Sequence, residues 1–271
     1  MSNKLISRRS FLIYILLIQL IIHLRNGKYF YLITTILYLL IQFIKNKAQT
    51  CSSISINPNF VKTRGLIHYW PFFMNTHDII DEADMFGGLN ASLTADRFDR
   101  PSSAISLING YYKLPPRVYF SSSYSFLVWV RPRALTAWSR ILEVSNGAQN
   151  DNVYFSLNEA ITGGIANTFC AGNTIYLNAK APTKLTLNQW QHVAFVFNYP
   201  MYYLYLNGIQ IFTLTTTKGP NNVTRTINFV GKSVNLPASA NSNTDLDEMK
   251  IFNRALSLTE VRFEMNNSIF T

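Results

Sequence analysis

A short acidic run stands near the start of the second quarter of the chain. Its members are Asp78, Asp81, Glu82 and Asp84, all within residues 77–84 (HDIIDEAD). Calcium is a hard cation that takes about six to eight oxygen ligands, often from Asp side chains and loop carbonyls. The run could therefore supply part of a calcium site, although a solvated turn has the same composition.

A second carboxylate stands in an apolar row. In residues 246–252 (LDEMKIF), strand alternation puts Asp247 on the same face as Met249 and Ile251, which should be the core face. Asp247 must find partners there, because burying an unpaired charge is costly. The pattern predicts that the partner is either a metal ion or a set of loop amides.

Groups that would indicate catalysis are missing from the sequence. No GxSxG, HExxH or P-loop motif occurs. Cys170 and His192 could form a thiol dyad, but a buried cysteine and a strand histidine are the simpler interpretation. The two cysteines, Cys51 and Cys170, lack the spacing of zinc ligands. They are predicted either to form one disulfide after secretion or to remain unpaired thiols.

Binding and modification sites are predicted in loops. Trp138, in the segment LTAWSR, is the best candidate for an exposed contact with a ligand, since loops at the ends of a β-sandwich often carry function. Three N-x-[ST] triplets begin at Asn90, Asn222 and Asn266. We expect these asparagines to lie in turns and to be glycosylated in a luminal or extracellular domain.

From residue 51 onward the sequence has the residue pattern of an all-β domain. Short runs rich in β-branched and aromatic residues alternate with Asn, Gly, Pro and Ser. Four runs predict strands: 125–131, 152–157, 192–197 and 209–214. Asn207-Gly208 predicts a type I′ hairpin, because both turn positions need positive φ. Ser257 and Glu260 match a capping box, which predicts a short helix ending near Glu264.

Residues 1–50 are predicted to target the membrane. Two apolar runs, 11–24 and 29–44, are flanked by basic residues, and the segment carries +7 with no Asp or Glu. Neither run alone reaches the ~20 apolar residues of a spanning helix. Three interpretations remain open: a cleaved signal ending before Cys51, an uncleaved anchor through 29–44, or a helical hairpin turning at Asn26-Gly27.

The charge of residues 51–271 bears on whether the chain binds nucleic acid. The whole chain has a net charge of +10, but residues 51–271 contribute only +3 of it. Basic runs interleaved with aromatic residues are absent from that remainder, so the sequence does not indicate nucleic-acid binding.

Four stretches in a fixed order resemble the laminin-G-like jelly rolls of the concanavalin A-like superfamily, which also contains pentraxins and legume lectins. They are GLIHYWPF (65–72), YSFLVWVRP (124–132), NQWQHVAFVFN with YYLYLNGIQI (188–211) and LDEMKIFNRALSLTEV (246–261). The resemblance implies a two-sheet antiparallel jelly-roll sandwich over residues 51–271, with a short C-terminal helix, preceded by the hydrophobic segment 1–50. A fold shared by lectins, adhesion modules and hydrolases does not fix function.

The resemblance also implies a calcium site. Comparison with the enzymes of the superfamily argues against catalytic activity. Asp78 aligns with an aspartate that can hold calcium in the family, and the last strand should bring Asp247 close to Asp78 and Asp84. The family's glycine-rich turn after the opening strand is missing, however, and residues 159–187 are not recognisable. Related glucanases carry E-x-D-x-x-E on one strand, whereas residues 245–248 (DLDE) are not followed by the last acid.

The sequence therefore predicts a non-catalytic recognition module outside the cell, anchored in the membrane through residues 11–44 or secreted. Its expected partner is a glycan or an extracellular protein, and calcium is the expected cofactor. Two alternatives are a degenerate enzyme related to glycoside hydrolases and a purely structural adhesion domain.

Overall fold

The computed structural model describes residues 38–42, 56–237 and 241–270. The chain divides into two compact units, residues 1–55 and residues 56–271. Residues 38–42 of the first unit are helical, and no helix in the described ranges is long and apolar enough to cross a membrane. The rest of the predicted targeting segment lies outside the described residues, so its role stays a prediction.

The second unit is an all-β sandwich with one short helix near its C-terminus. Its thirteen strands within the described ranges are β1 (Leu66–Trp70), β2 (Phe86–Thr94), β3 (Ala104–Leu114), β4 (Ser123–Pro132), β5 (Arg140–Ser145), β6 (Val153–Ser156), β7 (Ala166–Ala171), β8 (Thr174–Lys180), β9 (Gln191–Asn198), β10 (Met201–Leu206), β11 (Ile209–Thr215), β12 (Ile227–Val230) and β13 (Ser242–Phe252). The helix, α1, spans Leu258–Glu264.

The strands form one continuous antiparallel sheet that folds over on itself. Its order is β11-β10-β9-β4-β13-β3-β12-β5-β6-β7-β8, with β1 added to β13 and β2 added to β3. Aromatic contacts show how the two halves face each other. Phe155 on β6 lies 4.6 Å from Phe126 on β4 and 4.8 Å from Phe195 on β9, measured between ring centroids. The core therefore sits between the β4–β9 layer and the β5–β8 layer.

A second apolar cluster lies on the other face of β4 and β9. It includes Leu127, Val196 and Val261, and α1 covers it. The predicted capping box is confirmed: the Ser257 hydroxyl accepts from the Glu260 amide, and the Glu260 carboxylate accepts from the Ser257 amide at 2.8 Å. These two bonds satisfy amides that have no partner inside the helix, so the sequence defines where α1 begins.

The sequence predictions for local structure are confirmed in most of the sandwich. The four predicted strand runs correspond to β4, β6, β9 and β11. Asn207 and Gly208 have φ of 50° and 71°, which are the positive values that a type I′ hairpin requires. The unrecognised stretch 159–187 contains β7 and β8, whose polar and small residues gave no clear alternating pattern.

A β-bulge in β13 corrects the predicted orientation of Asp247. Glu248 has a φ of 52°, and the register with β4 shifts between Asp247 and Lys250. Asp247 pairs with Trp129, whose strand neighbours Val128 and Val130 point into the core. Asp247 therefore lies on the outer face, opposite to Met249, because one inserted residue moves side chains to the other face of a strand.

Candidate functional site

The outer face of β5 to β8 carries a row of polar side chains. Glu143 on β5 lies opposite Tyr154 on β6, and Tyr154 lies opposite Thr168 on β7. A register shift after Arg140 brings its guanidinium onto the same face, where Nε donates to Glu143 Oε2 at 2.8 Å. The alternate residues of these strands, such as Leu142 and Phe155, are buried in the core. The face is therefore polar by strand alternation.

Hydrogen bonds fix these polar groups in place. Arg140 Nη1 donates to the Trp138 carbonyl at 2.9 Å and to the Ser156 hydroxyl at 2.8 Å. Asn152 Nδ2 donates to Glu143 Oε1 at 3.1 Å. Arg140 Nη2 has no hydrogen-bond partner among the described residues, although Arg140 is only 5% exposed. Such a pre-positioned donor is suited to a ligand oxygen.

Trp138 stands beside this network in an unusual backbone conformation. The amide of Ser139 donates to the carbonyl of Thr136 at 3.0 Å, which closes a β-turn with Trp138 at its third position. Trp138 has a φ of 61°, a region in which glycine is favoured and bulky residues are uncommon. Residues held in such conformations cluster at functional sites, because the strain has to be offset elsewhere.

Cationic groups flank the indole of Trp138. Lys180 Nζ lies 5.2 Å from its ring centroid, and Arg140 Cζ lies 5.9 Å from it. The guanidinium of Arg140 also lies 3.9 Å from the ring centroid of Tyr154. Lys180 is in turn paired with Glu159 at 2.9 Å. These contacts orient the half-buried indole at the edge of the polar face.

Together these groups line a cleft of about 190 Å³. The described lining residues are Trp138, Arg140, Glu143, Gln149, Asn152, Tyr154, Thr168, Cys170, Ile175, Asn235 and Leu236. The cleft is smaller than the roughly 300–1,000 Å³ of sites that enclose a drug-sized ligand. It can take part of a larger molecule, with one aromatic platform and both hydrogen-bond donors and acceptors.

Asp78 is fully engaged by protein donors, which does not fit its predicted role as a calcium ligand. Its Oδ2 accepts from His68 Nδ1 at 2.7 Å and from the Ala83 amide at 3.3 Å. Its Oδ1 accepts from the amides of Tyr69 at 2.9 Å and Ile80 at 3.0 Å. Burial alone would raise the pKa of Asp78, but the hydrogen bonds from His68 and Tyr69 outweigh it and lower that pKa.

Asp84 and Asp247 have partners of their own. Asp84 accepts from the Asp78 amide at 2.9 Å, whereas Asp247 accepts from Arg97 Nη1 at 2.5 Å. In the described ranges, no three His, Cys, Asp or Glu side chains are grouped so that they could hold a metal ion. The predicted ligand set is therefore not brought together. Calcium dependence itself stays a prediction, which thermal unfolding with calcium and with a chelator would test.

Only one of the two cysteines of the predicted disulfide lies among the described residues. Cys170 is a free, buried thiol on the floor of the Trp138 cleft, and burial raises its pKa. Cys51 lies outside the described residues. The predicted disulfide therefore stays a prediction. Cys170 and His192 are not joined by any hydrogen bond, and burial lowers the pKa of His192 to about 3, so His192 is neutral.

The three sequon asparagines are all exposed. Asn222 lies in the loop between β11 and β12, and Asn266 follows α1, as the turn prediction required. Asn90 is different, because it lies inside β2 at a register shift, with a φ of 49°. Their glycosylation stays a prediction.

Trp138 was selected from the sequence as a candidate contact residue, whereas the residues around it were not; its role in binding stays a prediction. Arg140 and Glu143 both lie on β5, and Tyr154 on β6 joins them only through strand pairing. Two charged residues in the short segment RILEVS, which otherwise reads as a buried strand, were the available signal. Arg and Glu side chains are seldom buried without a partner, so a charge pair in such a strand predicts a structured polar face.

A family model described as the concanavalin A-like lectin/glucanases superfamily matches residues 107–262. A search of curated proteins returned no match. Among solved structures, domain 4 of AbnA, an extracellular GH43 arabinanase from Geobacillus stearothermophilus in complex with arabinotriose, aligns with a TM-score of 0.57. The alignment has 21% identity and covers 73% of this chain and 97% of that domain.

Two toxin domains share the fold as well. The binding domain of botulinum neurotoxin DC in complex with SialylT aligns with a TM-score of 0.53 and 15% identity, over 75% of this chain and 51% of that one. The binding domain of Paraclostridial Mosquitocidal Protein 1 aligns with a TM-score of 0.50 and 18% identity, over 74% and 52%. This chain therefore spans about half of each toxin domain. At these identities the likeness concerns the fold alone.

Proposed function

Because the chain belongs to the concanavalin A-like lectin/glucanase superfamily, we propose that it is a carbohydrate-binding module whose ligand sits in the Trp138 cleft. The observation that carries this proposal is Trp138 itself. A bulky indole occupies a turn position that favours glycine, at the mouth of a cleft lined with fixed polar groups.

The cleft offers what a sugar ring needs. The flat face of the indole can pack against the apolar C–H face of a pyranose or furanose ring. Arg140 Nη2 can donate to a ring hydroxyl, and the exposed amides of Gln149 and Asn235 can both donate and accept. The arabinanase domain and the toxin domain whose solved complexes contain arabinotriose and SialylT support this class of ligand by analogy of fold.

The charge balance of the cleft favours a neutral sugar at Trp138. Arg140 is paired with Glu143, and Lys180 is paired with Glu159, so each cation close to the indole already has a counter-ion. An anionic sugar would have to compete with these carboxylates. A neutral ring needs only hydroxyl contacts, which the remaining donors and acceptors supply.

Binding is favoured over hydrolysis by the number of acids in the cleft. A glycosidase usually needs two carboxyl groups about 5–9.5 Å apart on either side of the scissile bond. Among the described residues that line the cleft, Glu143 is the single carboxylate, and it accepts from Arg140 and Asn152. Release of reducing sugar from a bound glycan would favour the enzyme alternative.

The function is tested by a glycan array probed with the purified full-length chain. The array should include arabinan oligomers, sialylated glycans and neutral hexose oligomers. We expect retention on at least one class, with neutral glycans preferred, and quenching or enhancement of tryptophan fluorescence when that glycan is titrated in solution. Absence of binding across the array would contradict the proposal and favour a purely structural adhesion domain or a protein ligand.

A further inference from the structure

A second and larger cavity lies beside β1, apart from the residues of the Trp138 cleft. Its volume is about 520 Å³, within the roughly 300–1,000 Å³ typical of small-molecule sites. His68 lies on its wall, with Tyr119 beside it and Asn222 and Asn253 also in the lining. The two cavities share no lining residue.

Asp78 determines which nitrogen of His68 can face a ligand. Its carboxylate accepts three backbone amides as well as His68 Nδ1, and these hydrogen bonds keep the pKa of Asp78 low. Asp78 is thus an acceptor, so His68 Nδ1 must carry the proton in the neutral ring. Nε2 is then an acceptor. It has no hydrogen-bond partner among the described residues.

Two aromatic side chains hold the imidazole rigidly. The ring of Trp70 stacks on it at 5.3 Å between centroids with an interplanar angle of 18°, and Tyr119 lies at 5.0 Å. Trp70 Nε1 donates to the Ala83 carbonyl at 2.8 Å, and the Tyr119 hydroxyl donates to the Pro115 carbonyl at 2.8 Å. The imidazole of His68 is therefore held in one orientation, and only 2% of its surface is exposed.

The remaining lining combines apolar walls with polar groups at the rim. Ile67, Ile80 and Val118 supply the walls. Asp81 lies at the rim, where its carboxylate is paired with Arg117 at 3.2 Å. Asn253 adds an exposed amide, which donates and accepts equally well.

We propose that this cavity is a second saccharide site, in which a sugar hydroxyl donates a hydrogen bond to His68 Nε2. The choice of a saccharide rests on the carbohydrate-binding function proposed for the Trp138 cleft. The ammonium group of a cationic ligand would need a free carboxylate, whereas Asp78 is saturated with donors and Asp81 is paired with Arg117. A hydroxylated ring fits better, because it brings donors for the imidazole and an apolar face for the isoleucines.

The test uses the full-length chain with ¹⁵N-labelled histidine, observed by NMR. The probes are the methyl glycosides of glucose, galactose, arabinose and N-acetylglucosamine, each at millimolar concentration. The chain has four histidines, and His68→Gln identifies the signals of His68. We expect the Nδ1-protonated form without sugar and a shift of the Nε2 signal with at least one glycoside.

Two variants make the result specific without touching the His68–Asp78 pair. Val118→Trp places an indole at the cavity wall and should weaken the sugar-induced shift of Nε2 at least about tenfold in apparent affinity. Val61→Trp is the matched control, because Val61 is exposed and lies outside the cavity lining. It should leave the response unchanged.

The outcomes separate this site from the Trp138 cleft. The shift of Nε2 should persist in Trp138→Gly, in which the aromatic platform of the first cleft is lost. If no glycoside moves the Nε2 signal while glycans still bind through Trp138, the second site is wrong and the proposed function stands. An equal response in Val118→Trp and wild type would also overturn it. If a glycoside shifts the His68 signal while Trp138→Gly binds glycans as well as wild type does, the proposed site in the Trp138 cleft is wrong and the second site stands.

Discussion

At the level of single residues, the backbone conformation of Glu248 determines on which face of the sheet the Asp247 side chain lies. A φ of 52° at Glu248 inserts a bulge and turns Asp247 away from the core, toward Trp129 and Arg97. Burial and the neighbouring Glu248 carboxylate raise the pKa of Asp247, while Arg97 opposes them. Strict alternation cannot reveal a bulge, so the sequence indicated that Asp247 needs a partner but assigned it to the wrong face.

Arg97→Met is expected to destabilise the protein strongly. The side chains of Arg97 and Asp247 are 7% and 1% exposed, so the variant leaves a buried carboxylate without its partner. Such a loss typically costs about 3–5 kcal/mol. Urea unfolding would measure it, and adding Asp247→Asn to the variant should recover part of the loss.

The control for Arg97 is an exposed ion pair. Arg117 and Asp81 lie 3.2 Å apart with side chains 41% and 58% exposed, so Arg117→Met should cost no more than about 1 kcal/mol. Equal losses in the two variants would show that the Arg97–Asp247 pair does not have the burial described above.

At the level of elements, local chemistry predicts some structures and not others. The Asn207-Gly208 turn and the Ser257–Glu260 capping box need only a few adjacent residues, and both are confirmed. β7 and β8 were not predicted, because their segment carries a mixed pattern. The site on β5 to β8 depends on pairing between these strands. Long-range pairing is not encoded in any single stretch of sequence.

Gly208→Val should destabilise the β10–β11 hairpin. Gly208 has a φ of 71°, and an added Cβ would lie 3.0 Å from Cγ of Arg262, whose Nε donates to the Gly208 carbonyl. A β-branched residue in this conformation should cost on the order of 1–3 kcal/mol. Thermal or denaturant unfolding measures the loss. Gly208→Asn should cost clearly less, because asparagine tolerates positive φ, and equal costs for the two variants would contradict the turn geometry.

At the level of the whole molecule, fold class was predictable and ligand was not. Four family-like stretches in order predicted the sandwich, and the family match over residues 107–262 supports it. Trp138 was selected as a loop aromatic, but the polar face beside it was not predicted, because it is completed by pairing between β5, β6 and β7. The segment 1–50 contributes only residues 38–42 to the described structure, so its predicted role in targeting has to be tested by experiment.

Residues 1–50 are expected to direct the chain to the membrane or the secretory route. The physical reason is the pair of apolar runs, 11–24 and 29–44, with basic and no acidic flanking residues. Cells expressing the full chain and a variant starting at residue 51 would be fractionated. The full chain should appear in membranes or in the medium, and the variant in the cytosol. A full-length chain found wholly in the cytosol would contradict the prediction.

The most direct measurement of carbohydrate binding compares Trp138→Gly with the wild-type chain in both stability and glycan affinity. Glycine suits a φ of 61°, so the free energy of unfolding should change by no more than about 1 kcal/mol, with a correspondingly small shift of the melting temperature. Affinity for the best glycan of the array should fall at least about tenfold. Tyr199→Ala, at an exposed position outside the cleft lining, is the control and should leave glycan affinity unchanged. Unchanged glycan affinity in a folded Trp138→Gly variant would contradict the proposed site.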